Sequence, residues 1–202
     1  LYYCFHADCH TKGSTGVQLT KENSKVAFKE RFTKQTSDTE FVVPDTFVSL
    51  SRSKEAEAYV KRVGSYDAYL NGLADIRYDF QQERVVYLVK HNNKIVDATG
   101  RSLNERKPKW RRYGNSKYPY ICGRGNIAFV VEDCPSACSM ASIGQGIALM
   151  GTTLLDEHVD VIKKYKKVFV ALDKDATSKA YIMMRKLRNY VPTKLIVLNK
   201  DL

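Results

Sequence analysis

Beyond Asn126 the chain alternates short apolar runs with amphipathic stretches, and few architectures accept that order. Ile127–Val131 and Val168–Leu172 are almost continuously apolar, the pattern of strands buried on both faces. Ala148–Gly151 and Leu195–Leu198 read as two further strands. Between them, Pro135–Ile143, Asp156–Tyr165 and Ala176–Asn189 carry helical patterns, the first with proline in its opening turn. Alternating strands and helices imply a largely parallel sheet flanked by helices, joined by right-handed crossovers. Upstream, Ser53 is placed to cap a helix over Lys54–Arg62, with Ala56, Tyr59, Val60 and Val63 near one face and Gly64 at its end. A short helix follows over Tyr66–Asn71. Arg84–Lys90 and Lys94–Ala98 then read as a hairpin turning at His91-Asn92-Asn93. The expected class is therefore α/β, with a smaller α+β region in front of the parallel sheet.

Acidic residues stand where two of these strands end. Glu132 and Asp133 follow the first buried strand, and Asp173 and Asp175 follow Val168–Leu172. Ligands of open α/β sheets gather at the carboxyl ends of strands. In extended chain Asp173 and Asp175 point to the same side. If the two strands are neighbours, Glu132, Asp173 and Asp175 converge, and such a cluster is stable when a divalent cation neutralises it. Oxygen-only ligands favour Mg²⁺ or Mn²⁺. The competing reading is a strand-end turn, with Asp175 capping the next helix.

The net charge of +11 is concentrated rather than spread. Residues 101–126 hold eight Lys/Arg (Arg101, Arg106, Lys107, Lys109, Arg111, Arg112, Lys117, Arg124) against one acid, Glu105. Trp110, Tyr113, Tyr118 and Tyr120 are interleaved with them. Cations that neutralise phosphates, beside rings that stack on bases, suit single-stranded nucleic acid. A solvated, Lys- and Arg-rich loop is the alternative. No Gly-rich phosphate loop and no dinucleotide fingerprint is present. His91, in the hairpin turn, and His158, on a helix, read as surface residues.

Phe129-Val130-Val131-Glu132-Asp133, with Leu172-Asp173-Lys174-Asp175, resembles the TOPRIM domain, the metal-binding fold of primases, topoisomerases and some nucleases. Val131–Ala137 with Ala148–Thr152 is similar to phage-type primases. Val96-Asp97-Ala98-Thr99-Gly100-Arg101, Lys107-Pro108-Lys109-Trp110 and Tyr113-Gly114-Asn115-Ser116-Lys117 resemble the primase subdomain that precedes TOPRIM. Asp133 departs from the Gly that many members carry after the Glu. The resemblance implies a DNA primase of phage or bacterial type. Glu132, Asp173 and Asp175 would be the catalytic, Mg²⁺-binding carboxylates. Arg84, Arg101, Lys107, Lys109, Trp110, Arg111, Arg112 and Lys117 would bind template or nucleotide, with Trp110 or Tyr113 stacking a base.

Cys4 and Cys9, with His6 and His10, crowd ligand types into seven positions. One tetrahedral site would strain so short a loop, so Cys4 and Cys9 read as one half of a Zn²⁺ ribbon whose other pair lies upstream. Two free or buried cysteines are the alternative. A start at Leu1 rather than Met leaves open a fragment of a longer chain. The expected division is a ribbon remnant over 1–16, a linker over 17–50, a primase subdomain over 51–121 and TOPRIM over 122–202. Five cysteines make a poor disulfide framework and fit a reducing, cytoplasmic setting. No apolar run suggests a membrane span.

The function expected is Mg²⁺-dependent synthesis of short RNA primers. The partners would be single-stranded DNA template, ribonucleoside triphosphates and a replicative helicase, fused or separate. A TOPRIM nuclease and a non-catalytic nucleic-acid-binding module are the other readings. Cys122, Cys134 and Cys138 are expected to pack rather than react.

Overall fold

A computed structural model of the chain describes residues 2–3, 12–13, 41–104 and 107–198. The chain divides into a unit over Leu1–Asp38 and a unit over Thr39–Leu202. In the first, β1 (Tyr2–Tyr3) and β2 (Lys12–Gly13) pair antiparallel. Cys4 and Cys9 lie outside the described residues.

The second unit holds two five-stranded sheets. The first is an antiparallel meander in the order β3-β4-β5-β6-β7. Its strands are β3 (Phe47–Ser49), β4 (Ile76–Asp79), β5 (Arg84–His91), β6 (Lys94–Ser102) and β7 (Trp110–Arg112). The β5–β6 hairpin turns at Asn92 and Asn93, both with positive φ (49° and 61°), a conformation that asparagine tolerates. Between β3 and β4 run α1 (Lys54–Arg62) and α2 (Tyr66–Leu70). The Ser53 hydroxyl accepts from the Ala56 N–H, and Ala56, Tyr59 and Val60 are buried, so the cap and the apolar face are as expected.

The second sheet has the order β12-β11-β9-β10-β8. It comprises β8 (Tyr120–Gly123), β9 (Ile127–Val131), β10 (Gln145–Ala148), β11 (Lys167–Val170) and β12 (Thr193–Leu195). Four strands are parallel, and only β8 runs antiparallel to its neighbour. The helices are α3 (Cys134–Ser139), α4 (Asp156–Ile162) and α5 (Thr177–Leu187). One strand and one side chain differ from expectation. The strand anticipated at 148–151 lies three residues earlier, because Met150 and Gly151 form a positive-φ turn (55° and 141°) that ends the extended chain. His158, expected at the surface, is 3% exposed, and its Nδ1 accepts from the Leu155 N–H at the start of its own helix. Burial holds its pKa below the ordinary imidazole value.

One face of the second sheet packs against α4 and α5 through Val130, Ile147, Val168, Ile162, Met184 and Leu187. The other packs with α3 against α1 and the first sheet. Val85, Tyr87 and Val89 on β5 meet Tyr120, Val131 and Ala148 in one continuous core. The Tyr87 and Tyr120 rings meet edge to face, with centroids 5.8 Å apart. Each aliphatic side chain fully buried here contributes about 1.5–3 kcal/mol. The remaining side of β5, with Val86 and Leu88, packs against Phe47 and Ala98. Cys122, Cys134 and Cys138 are free and buried in the shared core.

Candidate active-site groove

The shared core sets the edge of the first sheet beside the carboxyl ends of β9 and β11. A groove of about 490 Å³ lies between them. On one wall, β6 and β7 are paired so that Arg101 stands opposite Trp110 and Thr99 opposite Arg112. Side chains of a strand alternate between faces, so these four share one. All four line the groove, with Lys109 just ahead of them. The Arg101 guanidinium lies 5.6 Å from the Trp110 ring centroid, and Trp110 leans on Tyr87 from behind, with centroids 6.1 Å apart. The opposite wall carries Glu132, Asp133, Asp173 and Gly151.

β9 and β11 are adjacent and parallel, with Val130 opposite Val170. Glu132 and Asp173 therefore emerge side by side. The loop after β10 is pinned to the same place, since the Gly151 N–H donates to the Glu132 carbonyl at 3.2 Å. Burial pushes the Glu132 pKa above the ordinary carboxylate value, and the negative charges of Asp173, Asp175 and Asp133 add to it; Lys179 opposes them. Lys179 itself donates to the Thr152 hydroxyl at 3.0 Å.

Asp133 is occupied differently. It is the N-cap of α3, where its Oδ1 accepts from the Ser136 N–H (3.0 Å) and hydroxyl (2.7 Å). The chain uses this carboxylate to begin a helix.

Glu132 and Asp173 meet at the groove, whereas Asp175 does not follow Asp173 in the extended chain that was expected. Asp173 enters, and Asp175 lies within, a 3₁₀ turn over Lys174–Ala176. The rule that residues two apart share a side holds for extended chain and fails in a turn. Asp175 is exposed and, although its charge is felt at Glu132, it caps no helix, since Ala176 is the N-cap residue of α5 and makes no side-chain cap. Among the described residues no three His, Cys, Asp or Glu side chains form a group that could hold a metal ion. The donor set still fits Mg²⁺ or Mn²⁺ in an open site. The donors are carboxylate oxygens, and their mutual repulsion is what a cation would relieve. A hard ion of this kind completes its shell with water and substrate phosphate rather than with an all-protein cage.

The basic residues separate into those at the groove and those elsewhere. Arg101, Lys109, Trp110 and Arg112 line it. Lys107 is exposed and is not among the lining residues. Arg111, on the other face of β7, donates to Gln82 at 3.1 Å and lies over the Tyr113 ring at 5.2 Å. Lys117 pairs with Glu157 at 3.2 Å. Arg84 is 1% exposed, and its guanidinium donates to the carbonyls of Gly100, Pro108 and Lys109. In this position it ties β6 to the segment leading into β7 and does not face the groove. Tyr113 is built into the fold, with its hydroxyl donating to Asp79 at 2.6 Å and its ring edge-on to Phe47. Asp97 went unassigned from sequence. It is fully buried, paired with Arg112, and accepts the N–H groups of Gly114 (2.8 Å) and Ser116 (3.1 Å). An aspartate in the middle of a strand, among apolar neighbours, was the available signal.

Comparison with solved structures gives one consistent result. A DnaG primase catalytic domain bound to ssDNA superposes with a TM-score of 0.51 at 17% identity, over 75% of this chain and 54% of that one. The E. coli primase catalytic core gives 0.50 and 16%, over 89% and 67%. A DNA primase domain from Pseudomonas aeruginosa gives 0.50 and 18%, over 90% and 66%. The fold is that of a primase catalytic core. This chain spans about half to two thirds of the primase cores it resembles. No family model matches the sequence, and no curated protein does. Within the primase-core fold, the meander supplies the cationic wall and the parallel sheet the acidic one. No helix among the described residues is long and apolar enough to cross a membrane.

Proposed function

We propose that the chain is the nucleotidyl-transferring core of a DNA primase, joining ribonucleotides into short RNA primers on single-stranded DNA. One observation carries this reading: in a primase-core fold, a wall of Arg101, Lys109, Arg112 and Trp110 faces Glu132 and Asp173 across a single groove. The cations neutralise phosphates of template or incoming triphosphate. Trp110 lines the groove, and its ring would be open to base stacking once the Arg101 guanidinium over it is drawn onto a phosphate. Glu132 would serve either as a further metal carboxylate or as the group that accepts the proton of a primer 3′-hydroxyl. Mg²⁺ or Mn²⁺ held by Asp173 and Glu132, with Asp175 nearby, would neutralise the reacting phosphates and acidify that hydroxyl. The β9 and β11 ends keep these carboxylates beside the groove. Ribonucleoside triphosphates would be its substrates, and a replicative helicase, fused or separate, would be its partner.

The test is primer synthesis from labelled ribonucleotides on single-stranded template with Mg²⁺. Oligoribonucleotides are expected from the native chain and none from Asp173→Ala or Asp175→Ala, with circular dichroism unchanged. Full activity in either variant overturns the reading. A second reading, a non-catalytic nucleic-acid-binding module, needs only the basic wall of the groove. It gives template binding with no metal-dependent product. Cleavage of labelled DNA in a parallel reaction would identify a nuclease instead.

A further inference from the structure

Arg112 reaches the groove from a short strand of three residues, yet its guanidinium is not left to find its own position. Its Nε donates to Asp97 Oδ2 at 3.1 Å, and its Nη2 donates to the same oxygen and to the Ser116 carbonyl at 2.5 Å. Asp97 is fully buried, while the Arg112 side chain is 35% exposed. The other Asp97 oxygen accepts from the N–H groups of Ala98 (2.6 Å) and Gly114 (2.8 Å). The carboxylate is therefore fixed by backbone donors on both β6 and the segment after β7. Gly114 leaves no room for adjustment, since a Cβ there would lie 2.7 Å from Asp97 Oδ1.

A buried charge costs stability unless it is fully paired. Here the pairing reaches out to a residue that lines the groove opposite Glu132 and Asp173. Of the Arg112 nitrogens, only Nη1 takes no part in these bonds. A planar guanidinium held along one edge presents the rest of its fork in a set direction.

We propose that Asp97 is a positioning residue that aims Arg112 Nη1 at a phosphate oxygen in the groove. The inference rests on the primase reading for the identity of that phosphate. The phosphate chemistry is shared by an incoming nucleotide and by the template backbone.

The test is a double-mutant cycle on the full chain with Asp97→Asn, Arg112→Gln and both together. Affinity is measured separately for Mg²⁺-ATP and for a fluorescent oligothymidine, beside the thermal midpoint of each variant. Each single variant should weaken one of the two ligands about 10-fold, and the double variant should be no weaker than Arg112→Gln alone. Which ligand responds identifies the source of the phosphate. The thermal loss of Asp97→Asn should persist in the Arg112→Gln background, because the amide nitrogen that replaces Oδ2 leaves the Ser116 N–H without its acceptor in both. Arg112→Lys, at a partly exposed position that leaves the core intact, should also lose affinity although its charge is kept, because an ammonium held by Asp97 has no second edge to offer.

Unchanged affinity for both ligands in Asp97→Asn overturns the proposal, as does an equal further loss when Asp97→Asn is added to Arg112→Gln, or full affinity in Arg112→Lys. A native chain that binds either ligand with this coupling but makes no primer retains the proposal and overturns the primase reading. A native chain that makes primer without the coupling does the reverse, and one that binds neither ligand overturns both.

Discussion

Glu132 occupies an unfavourable position for a charged group, partly buried and facing the charges of Asp173, Asp175 and Asp133. The consequence for stability has a definite sign. Its folded-state pKa lies above the unfolded value of about 4.3. The native state is therefore free of this penalty below that pH and loses stability as pH rises through the raised pKa. Glu132→Gln in metal-free protein should raise the melting temperature at pH 7 and leave it unchanged near pH 4. The same variant should lower primer synthesis about 100-fold or more. A melting temperature unaltered at pH 7 would show that the repulsion is not felt. Added Mg²⁺ should stabilise the native chain more than the variant. The positions of Glu132 and Asp173 after strands were legible because the apolar runs before them mark those strands. Arg84 was not, since an arginine aimed at phosphate and one aimed at three carbonyls have the same letter.

At the scale of elements, the local signals that could be read were those completed within one segment. The Ser53 cap and the Lys54–Arg62 face depend on residues three and four apart, and they appeared where expected. Strands β3, β4, β7 and β8 are three or four residues long, and they exist because partners distant in sequence pair with them. No periodicity can accumulate over such lengths. Helix α3 tests the role of Asp133. Asp133→Ala removes its cap and should cost about 0.5–2 kcal/mol in denaturant unfolding, with Mg²⁺ affinity retained. A loss of Mg²⁺ binding with stability intact would make Asp133 a ligand instead. The same helix sits on β10 through Gly146, where a Cβ would lie 2.0 Å from the Ala137 carbonyl oxygen. Gly146→Ala must push α3 outward, and about 1–3 kcal/mol or more should be lost.

For the molecule as a whole, the net charge of +11 matters less than where it is displayed. Among the described residues, Arg101, Lys109 and Arg112 are the basic side chains that line the groove. Counterion release contributes a slope of about −0.7 per phosphate on single strands, so the log–log dependence of affinity on salt should be roughly −2. A slope near −6 would mean that the wider basic surface grips the strand. Lys109→Ala should make the slope shallower by about 0.7. The expected class, with its parallel sheet and preceding α+β region, was readable because buried strands and helices alternate strictly after Asn126.

The two sheets lean on one interior, where Tyr87 from the meander touches Tyr120 from its neighbour. Jaws joined at the root would, in the proposed primase, admit a strand along the open side rather than by parting. Heat should melt both jaws in a single cooperative step, and severing the backbone near Lys117 should leave neither piece able to stand alone.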